Sequence, residues 1–580
     1  MPTPNSVSAR LTRWMNRLHA RASSFARPAT GFVSQPEPRT IGSYARGRQL
    51  MAGNFLFAGH LVEAPGRSPW DIAPPDAGFR DALHGFGWLD DLAAVGDAAA
   101  RERAQAWLWD WIARYGDGRG PGWTPELAGR RMIRWIHHAL FLLRGLDPAP
   151  AATFYRTLAR QALFLGRRWH SADPGLPRFG ALTGLLYAGL SLQGMDRFTA
   201  PAMRALAREC RAQVDAEGGI PTRNPEELLE VFTLLTWASA ALSENDRTAM
   251  PDHLAAIERI APTLRTLRHA DGGLARFHGG GRGTEGLLDM ALTASGTGGR
   301  RADEGLSMGY ARLSAGRTSI IADAAAPPTG AASRDGHAST LAFELTSGRR
   351  PVVVNCGSGA SFGAEWRRAG RATASHSTLA LAGYSSARLG AGRARGEWLT
   401  DVPRNVPVEM SHAPDGIRFQ GAHDGYLRTH GLTHARTLEL TFDGRGMLGE
   451  DLLLVMDDTD KRRFDRALDA TRMQGIAFQI RFHLHPDVEP SLDMGGAAVS
   501  MALKSGEVWV FRHDGALEMT LEPSVYLEKG RLRPRATKQV VLSGNAMDYA
   551  TRTRWTLAKA HDTPIGVRDL HREEETDLTT

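Results

Sequence analysis

The sequence has few of the features that would assign it to a class of protein at once. Cys210 and Cys356 are its only cysteines in 580 residues. They fall in what the pattern predicts to be different domains, which argues against a disulfide framework and a cysteine-ligated metal. No apolar run approaches the length of a membrane span. Residues 1–27 lack the apolar core of a signal peptide, which predicts a cytoplasmic protein without an integral membrane segment.

The excess of positive over negative charge is also small. The 70 basic and 63 acidic residues give a formal charge of +7. No interleaving of basic and aromatic residues accompanies this excess, so we predict no nucleic-acid partner. A mild positive balance is compatible with an acidic ligand, because clefts lined by positive charge attract anions. The glycines of residues 279–283 lack the GK[ST] of a phosphate loop. We therefore expect no nucleotide cofactor.

The hydrophobic pattern changes its period once along the chain. Before residue 300 it is helical, as in the stripe of Phe154, Leu158, Ala162, Leu165 and Trp169. After residue 300, short alternating runs separated by Asp-Gly and Ser-Gly turns indicate an antiparallel β-domain. We predict four regions: a flexible basic leader (1–45), a helical domain (46–300), a β-sandwich (301–565) and a polar tail (566–580). In the leader, Arg10, Arg13, Arg17 and Arg21 recur at helical spacing. This pattern suits a membrane-surface or partner helix, but favours a solvated leader.

His376 is the first candidate for chemistry. It lies between Arg371 and the predicted strand 378–381, and Tyr384 follows closely. An imidazole held on a strand beside positive charge can move a proton on an anionic substrate. The alternative is a structural histidine bonded to a backbone group.

Asn224 is the second candidate. It directly precedes Pro225 and an apolar helix, so its position is typical of a helix N-cap. A helix N-terminus also binds anions, and Arg223 adds a donor suited to a carboxylate. Capping and carboxylate binding are compatible at this one position.

Several further residues are weaker candidates. His269, Asp271, Arg276 and His278 lie in a glycine-rich segment that is either a cleft wall or a linker. Trp135 precedes His137 on a predicted helix, where core packing and substrate contact are both open. His483 and His485 share the spacing of a metal pair, but no third ligand is fixed by spacing. Loop positions in the β-half add His337, His423 and Tyr426.

The order of motifs resembles the heparinase II/III-like family of polysaccharide lyases. The resemblance covers roughly residues 50–560 and is carried by six stretches: 218–225, 268–277, 309–313, 353–357, 371–379 and 481–486. It implies an N-terminal incomplete α/α toroid followed by a C-terminal antiparallel β-sandwich. It also implies that Asn224 neutralises a uronate carboxylate and that His376 is the strand-borne histidine. A histidine common after the Gly-Gly is Ile220 here. The family's tyrosine has no clear match, and Tyr310, Tyr384 or His278 could substitute.

The predicted function is β-elimination on a uronic-acid-containing polysaccharide, without a cofactor. Arg223, His269, His278, Trp135 and Arg371 are the predicted substrate contacts. Because such polymers lie outside the cytoplasm, the resemblance also allows a periplasmic or cell-envelope location. Two alternatives remain open. A toroid glycoside hydrolase would need two of the carboxylates Glu226, Glu227, Asp271 and Glu285. A non-catalytic envelope-biogenesis protein would bind acidic glycans without turnover.

Overall fold

The computed structural model describes residues 7–25, 29–299, 305–391 and 397–560. The chain forms two compact units. The first contains Met1–Ile220, Glu227–Ala261 and Gly286–Gly299, and the second contains Pro221–Glu226, Pro262–Glu285 and Arg300–Thr580. Two short segments of the helical half of the sequence thus belong to the second unit. They are the segments that carry most of the candidate residues from that half.

The helical half contains thirteen described α-helices. Their bounds are α1 Val7–Ala22, α2 Tyr44–Met51, α3 Ala77–Gly85, α4 Trp88–Val95, α5 Ala98–Tyr115, α6 Pro125–His137, α7 Ala139–Leu143, α8 Pro148–Arg168, α9 Leu176–Ser191, α10 Thr199–Gln213, α11 Pro225–Ser243, α12 Pro251–Thr266 and α13 Leu287–Ala294. A short hairpin of β1 (Asn54–Phe57) and β2 (His60–Glu63) lies between α2 and α3.

The helices begin where the sequence offers a cap. Asp76, Asp97 and Thr124 each accept a hydrogen bond from the backbone N–H three residues later. Such caps satisfy donors that have no partner within the helix. The predicted helix that carries Trp135 and His137 ends at His138, where α7 begins; Nε2 of His138 lies 2.9 Å from Oδ1 of the buried Asp90. This tertiary contact is invisible in the local pattern.

Helix α1 occupies part of the region predicted as a flexible leader. Asn16 and Ala20 are buried, and Asn16 Oδ1 accepts a hydrogen bond of 2.7 Å from Nε of Arg168 in α8. Residues 7–22 therefore form a helix that packs against α8. Among all the described helices, none is long and apolar enough to cross a membrane.

The second unit consists mainly of two antiparallel sheets. Its larger strands and short helices are β3 Tyr310–Ala315, β4 Thr318–Asp323, β5 Phe343–Ser347, β6 Arg350–Val354, α14 Ala364–Gly370, β7 Leu379–Leu381, β8 Arg388–Leu389, β9 Leu399–Asp401, β10 Val408–Ala413, β11 Gly416–Tyr426, α15 Leu427–His430, β12 Leu432–Thr441, β13 Gly446–Leu454, α16 Asp458–Ala470, β14 Ile476–Leu484, β15 Val488–Asp493, β16 Ala498–Leu503, β17 Val508–His513, β18 Glu518–Tyr526, β19 Arg535–Ala546 and β20 Ala550–Lys559.

One sheet has the strand order β10-β11-β12-β13-β20-β17-β16-β15. The other has the order β18-β19-β14-β6-β5-β4-β3, and β7 also pairs with β14. Their inner faces share one apolar core. Within it, the ring of Trp555 in the first sheet stacks 5.9 Å from Phe343 in the second. Aromatic pairs of this kind add to the energy of apolar burial. The predicted order of a helical domain followed by an antiparallel sandwich is confirmed.

Candidate active site

Asp323, the last residue of β4, is the charged centre of the candidate site. Its carboxylate is fully buried. It accepts a hydrogen bond of 2.6 Å from Arg223 Nη2 and one of 2.6 Å from Ser339 Oγ. His278 Nε2 lies 3.5 Å from its Oδ2 atom. A buried carboxylate requires such partners, because an unpaired charge in the interior is costly.

Arg223 is bound by the protein itself. Besides Asp323, its guanidinium donates to the carbonyl oxygens of Met308, Gly309 and Ala326. It also lies 4.7 Å from the ring of Tyr310, a cation–π contact. The side chain predicted to hold a substrate carboxylate is therefore already paired with an internal one.

Tyr310 is fully buried at the start of β3. Its hydroxyl donates a hydrogen bond of 2.5 Å to the backbone oxygen of Arg223. Burial raises the pKa of Tyr310 well above its usual value, while the charge of Arg223 acts in the opposite direction. This hydroxyl is neutral at physiological pH, so it can donate a proton but is a poor base.

Three histidines continue from Asp323 in a hydrogen-bonded series, which we call the imidazole relay: His278, His337 and His376. The backbone N–H of His337 donates to Nδ1 of His278 at 3.0 Å. Nδ1 of His337 lies 3.0 Å from Nε2 of His376. Nδ1 of His376 then donates to the carbonyl oxygen of Ala372 at 2.8 Å. The relay thus connects the Asp323 pair to the segment that enters β7.

Burial keeps the relay neutral. It lowers the pKa of His376 to about 4, although the carbonyl of Ala372 favours the charged ring. Burial also lowers the pKa of His278 and of His337 well below the usual value. The charge of Arg223 adds to the effect on His278, and a proton on His376 would lower the pKa of His337 further. Neutral imidazoles can accept protons, as a general base must.

Backbone strain is concentrated around the relay. Arg223, His278, Met308 and Leu341 have φ values of 51°, 46°, 52° and 65°. The left-handed region disfavours residues with a side chain, and such outliers persist only where their surroundings enforce them. Arg223 contacts Met308, and the N–H of Leu341 donates to the backbone oxygen of Asp323. This clustering is typical of functional sites.

Asn224 is partly exposed at the N-terminus of α11. Its Oδ1 accepts a hydrogen bond of 3.0 Å from the N–H of Glu226, as an N-cap residue does. A Cβ atom on Gly280 would lie 2.5 Å from this same oxygen. The glycine-rich segment that follows His278 therefore approaches Asn224 closely because residue 280 has no side chain.

A second polar cluster surrounds a small cavity in the same unit. Glu344 accepts the backbone N–H of Arg276 at 3.0 Å and lies 3.3 Å from Nε2 of His269. The guanidinium of Arg276 lies 4.0 Å from the ring of Tyr526 and donates to two backbone carbonyls. Asp271 lines the cavity and pairs with Arg282. His269 and Arg276 are thus structural members of this buried cluster.

The other predicted residues lie outside the relay. Tyr384 is 43% exposed, and its ring contacts His430. Trp135 is fully buried between the rings of Phe86, Trp111 and Phe154, which places it in the helical core. Arg371 is buried and donates to the backbone oxygens of Ser333 and Gly336, so it holds the segment before His337.

The histidine pair of β14 is also bound internally. Nδ1 of His483 lies 2.8 Å from Ser524 Oγ, and its Nε2 lies 3.0 Å from the carbonyl oxygen of Ala374. The ring of His485 packs 4.9 Å from that of Tyr526. Within the ranges that the structure describes, no group of three or more His, Cys, Asp or Glu could hold a metal ion.

Sequence patterns missed two members of the site and undervalued a third. Asp323 and Ser339 belong to no motif, and only the end of β4 and its tertiary contacts identify them. His337 was a weak loop candidate, yet it lies at the middle of the relay. No local signal separates it from other loop histidines.

The comparisons with known proteins agree with this architecture. Residues 297–556 match the family model described as "Heparinase II/III-like, C-terminal". The FtsZ-localized protein C of Caulobacter vibrioides (strain NA1000 / CB15N) is 31% identical over 542 residues, covering 91% of this chain and 90% of that protein.

Solved structures share the fold at much lower identity. A crystal structure of heparinase III has a TM-score of 0.69 at 14% identity and covers 96% of this chain and 93% of its own. The heparan sulfate lyase HepC mutant from Pedobacter heparinus has a TM-score of 0.58 at 14% identity, with coverages of 94% and 88%. At this identity the likeness concerns the fold alone.

Proposed function

The chain belongs to the heparinase II/III-like family, and on that premise we propose that it is a lyase of a uronate-containing polysaccharide. The observation that carries the proposal is the relay, which runs from the Arg223–Asp323 pair to His376. Asn224 directly follows Arg223 in the same unit. The heparan sulfate lyase with a similar fold acts on a polymer of this chemical class.

The proposed reaction is β-elimination. The C5 proton of a uronate is a weak acid until its carboxylate is neutralised. In our proposal the amide of Asn224, at a helix N-terminus, donates to that carboxylate and stabilises the developing enolate. A neutral imidazole of the relay accepts the C5 proton, a step that contributes about 10²–10⁴-fold. Tyr310 and Tyr384 are the candidate donors to the leaving C4 oxygen, and Tyr384 is the more exposed.

The test is the ultraviolet absorbance of 4,5-unsaturated uronate over a panel of glycosaminoglycan, alginate and bacterial capsular uronans. We expect a rise with one polymer that Asn224→Ala abolishes and His376→Ala reduces. His412→Ala is the matched control, because this histidine is exposed on β10. A flat trace for the parent on the whole panel contradicts the proposal, and so does full activity of the Asn224 and His376 variants.

A second candidate function is favoured by the burial of the proton-transfer groups. His376 and Tyr310 are fully buried, and each makes its hydrogen bonds within the protein. The relative that matches along nearly the whole chain is named for its localisation with FtsZ. The second candidate is therefore a non-catalytic protein of envelope biogenesis, which binds acidic glycan without cleaving it.

For this second function, we propose that helix α1 attaches the protein to a membrane surface. Its outer face exposes Val7, Leu11, Trp14 and Leu18, and the buried Asn16 and Ala20 lie on the opposite face. The exposed arginines of this helix flank the apolar stripe, and the helix contains no acidic residue. A basic amphipathic surface of this kind suits an anionic lipid bilayer.

Vesicle sedimentation tests this attachment. We expect binding to vesicles with anionic lipid and not to zwitterionic ones. Arg13→Glu/Arg17→Glu should abolish binding, because each arginine near the surface contributes about 1 kcal/mol. Arg13→Lys/Arg17→Lys, which keeps both charges, is the control. Binding that is equal for all three proteins refutes the role of α1.

A further inference from the structure

The hydrogen bonds of the relay fix the tautomer of each neutral ring. A carbonyl oxygen only accepts, so Nδ1 of His376 must carry the proton that it donates to Ala372. Its Nε2 then has a lone pair. Because Nε2 of His376 accepts, Nδ1 of His337 must be the donor in the bond of 3.0 Å between them. The neutral ring of His337 is therefore protonated at Nδ1.

The same logic fixes His278 in the other tautomer. Its Nδ1 accepts the backbone N–H of His337, so its Nε2 carries the proton and faces Asp323. Arg223 Nη1 approaches this nitrogen to 3.4 Å, but two donors cannot form a hydrogen bond. Both ring nitrogens of His278 and both of His376 are thus directed to groups of the protein.

Nε2 of His337 is the exception. It has a lone pair in this tautomer, and within the described part of the chain it forms no hydrogen bond. All three residues are buried, at 3% exposed for His337, 1% for His278 and 0% for His376. The backbone N–H of His337 is bound by His278. The segment before His337 is held by Arg371, which donates to the backbone oxygens of Ser333 and Gly336. The ring is thus oriented by its neighbours, while one basic atom remains available.

We propose that Nε2 of His337 is the atom that takes the C5 proton, and that His376 is a positioning residue that holds His337 in the reactive tautomer. This inference rests on the proposed lyase function. It exchanges the roles that the sequence assigns, because His376 acts through His337 and does not touch the substrate.

The step balances without a further reactant. The C5–H bond breaks, and its proton forms a new N–H bond at Nε2 of His337. The electron pair left on C5 forms the C4=C5 double bond as the C4–O bond breaks. The leaving oxygen takes the proton back from the imidazolium, so the ring ends as it began. A single histidine then serves as base and acid, so His337 replaces Tyr310 and Tyr384 as the donor to the leaving C4 oxygen, and the reaction needs no tyrosine.

The first arm of the test is the tautomer of His337, observed by long-range ¹⁵N–¹H NMR of the full chain with labelled histidine. The expected result is a proton on Nδ1 in the parent. His376→Asn retains a donor for Ala372 and removes the acceptor at Nε2, so the preference for Nδ1–H at His337 should be lost. A proton on Nε2 of His337 in the parent overturns the proposal. A purely structural His376 would leave this spectrum unchanged, which also overturns it.

The second arm is turnover, measured on the polymer that gives the largest absorbance rise in the panel. His337→Asn keeps a donor near the position of Nδ1 and removes Nε2. We expect it to lose on the order of 10²-fold or more. His376→Asn should lose about tenfold, since the ring of His337 remains but is no longer fixed. The hydrogen-exchange pattern of each variant must match that of the parent, which separates lost chemistry from lost folding.

The outcomes separate this inference from the function on which it rests. Activity of His337→Asn within about threefold of the parent overturns the role of His337, even if elimination occurs. A parent that cleaves no polymer overturns the lyase function and with it the catalytic role of His337. The NMR arm distinguishes that case, because the Nδ1–H tautomer is then still observed.

Discussion

The Arg223–Asp323 pair should stabilise the second unit as well as anchor the relay. The substitution Asp323→Asn removes the negative charge with little change in shape. The two side chains are 11% and 0% exposed, so the guanidinium would be left in an interior without its counter-ion. Breaking a buried pair in this way costs about 3–5 kcal/mol.

The structure indicates the lower end of that range. Arg223 keeps its hydrogen bonds to the carbonyls of Met308, Gly309 and Ala326, which still solvate the charge. The amide oxygen introduced by the substitution can also accept from Ser339, which donates to the carboxylate in the parent. We therefore expect a loss of about 3 kcal/mol, which accelerates amide exchange through opening of this unit about 100-fold.

Hydrogen-exchange mass spectrometry is the assay, because it reports the two units separately. Peptides from β4 and β5 should lose protection, while peptides from α8 and α9 should not. Arg223→Met alone should lower the free energy of unfolding by a similar amount, since it leaves the buried carboxylate of Asp323 without its counter-ion. The double variant should lose less free energy of unfolding than the two single variants lose in total, by at least about 2 kcal/mol. A coupling below about 0.5 kcal/mol would refute the argument that this pair is a buried, mutually dependent unit.

Three further predictions follow from burial and close packing. Stability should fall as the pH falls, because burial lowers the pKa of five histidines to about 3 or 4 in the folded protein. The unfolded chain, whose histidines keep their ordinary pKa, therefore binds protons first. The free energy of unfolding should drop below about pH 6.5 by up to about 1.4 kcal/mol per pH unit for each, which urea titrations at several pH values measure. An unchanged urea midpoint from pH 7 to pH 5 would contradict this. Gly449→Ala places a Cβ atom 2.1 Å from the Trp555 ring and should cost about 1–3 kcal/mol in the same titration. Gly280→Ala should reduce turnover by displacing Asn224, while Gly281→Ala, whose nearest contact is the flexible Lys529 at 3.2 Å, should not. Equal rates for these two variants would argue against the role of Asn224.

The helical half is largely predictable from local information. Stripes such as that of α8 and caps such as Thr124 before α6 determine those elements within the segment itself. The division of α6 from α7 at His138 was missed, because it depends on a contact with Asp90. The packing of α1 was missed for the same reason, since its buried Asn16 pairs with Arg168 from a distant helix.

The sandwich is predictable in class but not in detail. Strands β4 and β5 of the second sheet are buried along their whole length, and their short apolar runs are of the kind that predicted the β-region. Strands β10 and β11 at the edge of the other sheet were not predicted, because half-exposed residues such as Val408 and Met410 give only a weak pattern. The helices α14 and α16 interrupt a region in which the sequence pattern predicted strands and turns only.

The candidate site lies at the limit of what sequence can give. Asn224 is a candidate because a helix cap and an anion site share one local signature. The relay could not be identified, because His278, His337 and His376 come from three distant segments that only the tertiary fold joins. The apparent availability of Arg223 was misleading for the same reason, since its partner Asp323 is remote in sequence.

The central claim is elimination by this family member, and the mass of the products tests it most directly. Incubation of the parent with the uronan panel, followed by mass spectrometry, distinguishes three results. Elimination predicts oligosaccharides that lack one water relative to hydrolysis products, formed by the parent and by His412→Ala but not by His337→Asn. Saturated oligosaccharides of the hydrolytic mass would contradict elimination, and so would polymer that the parent protein leaves intact.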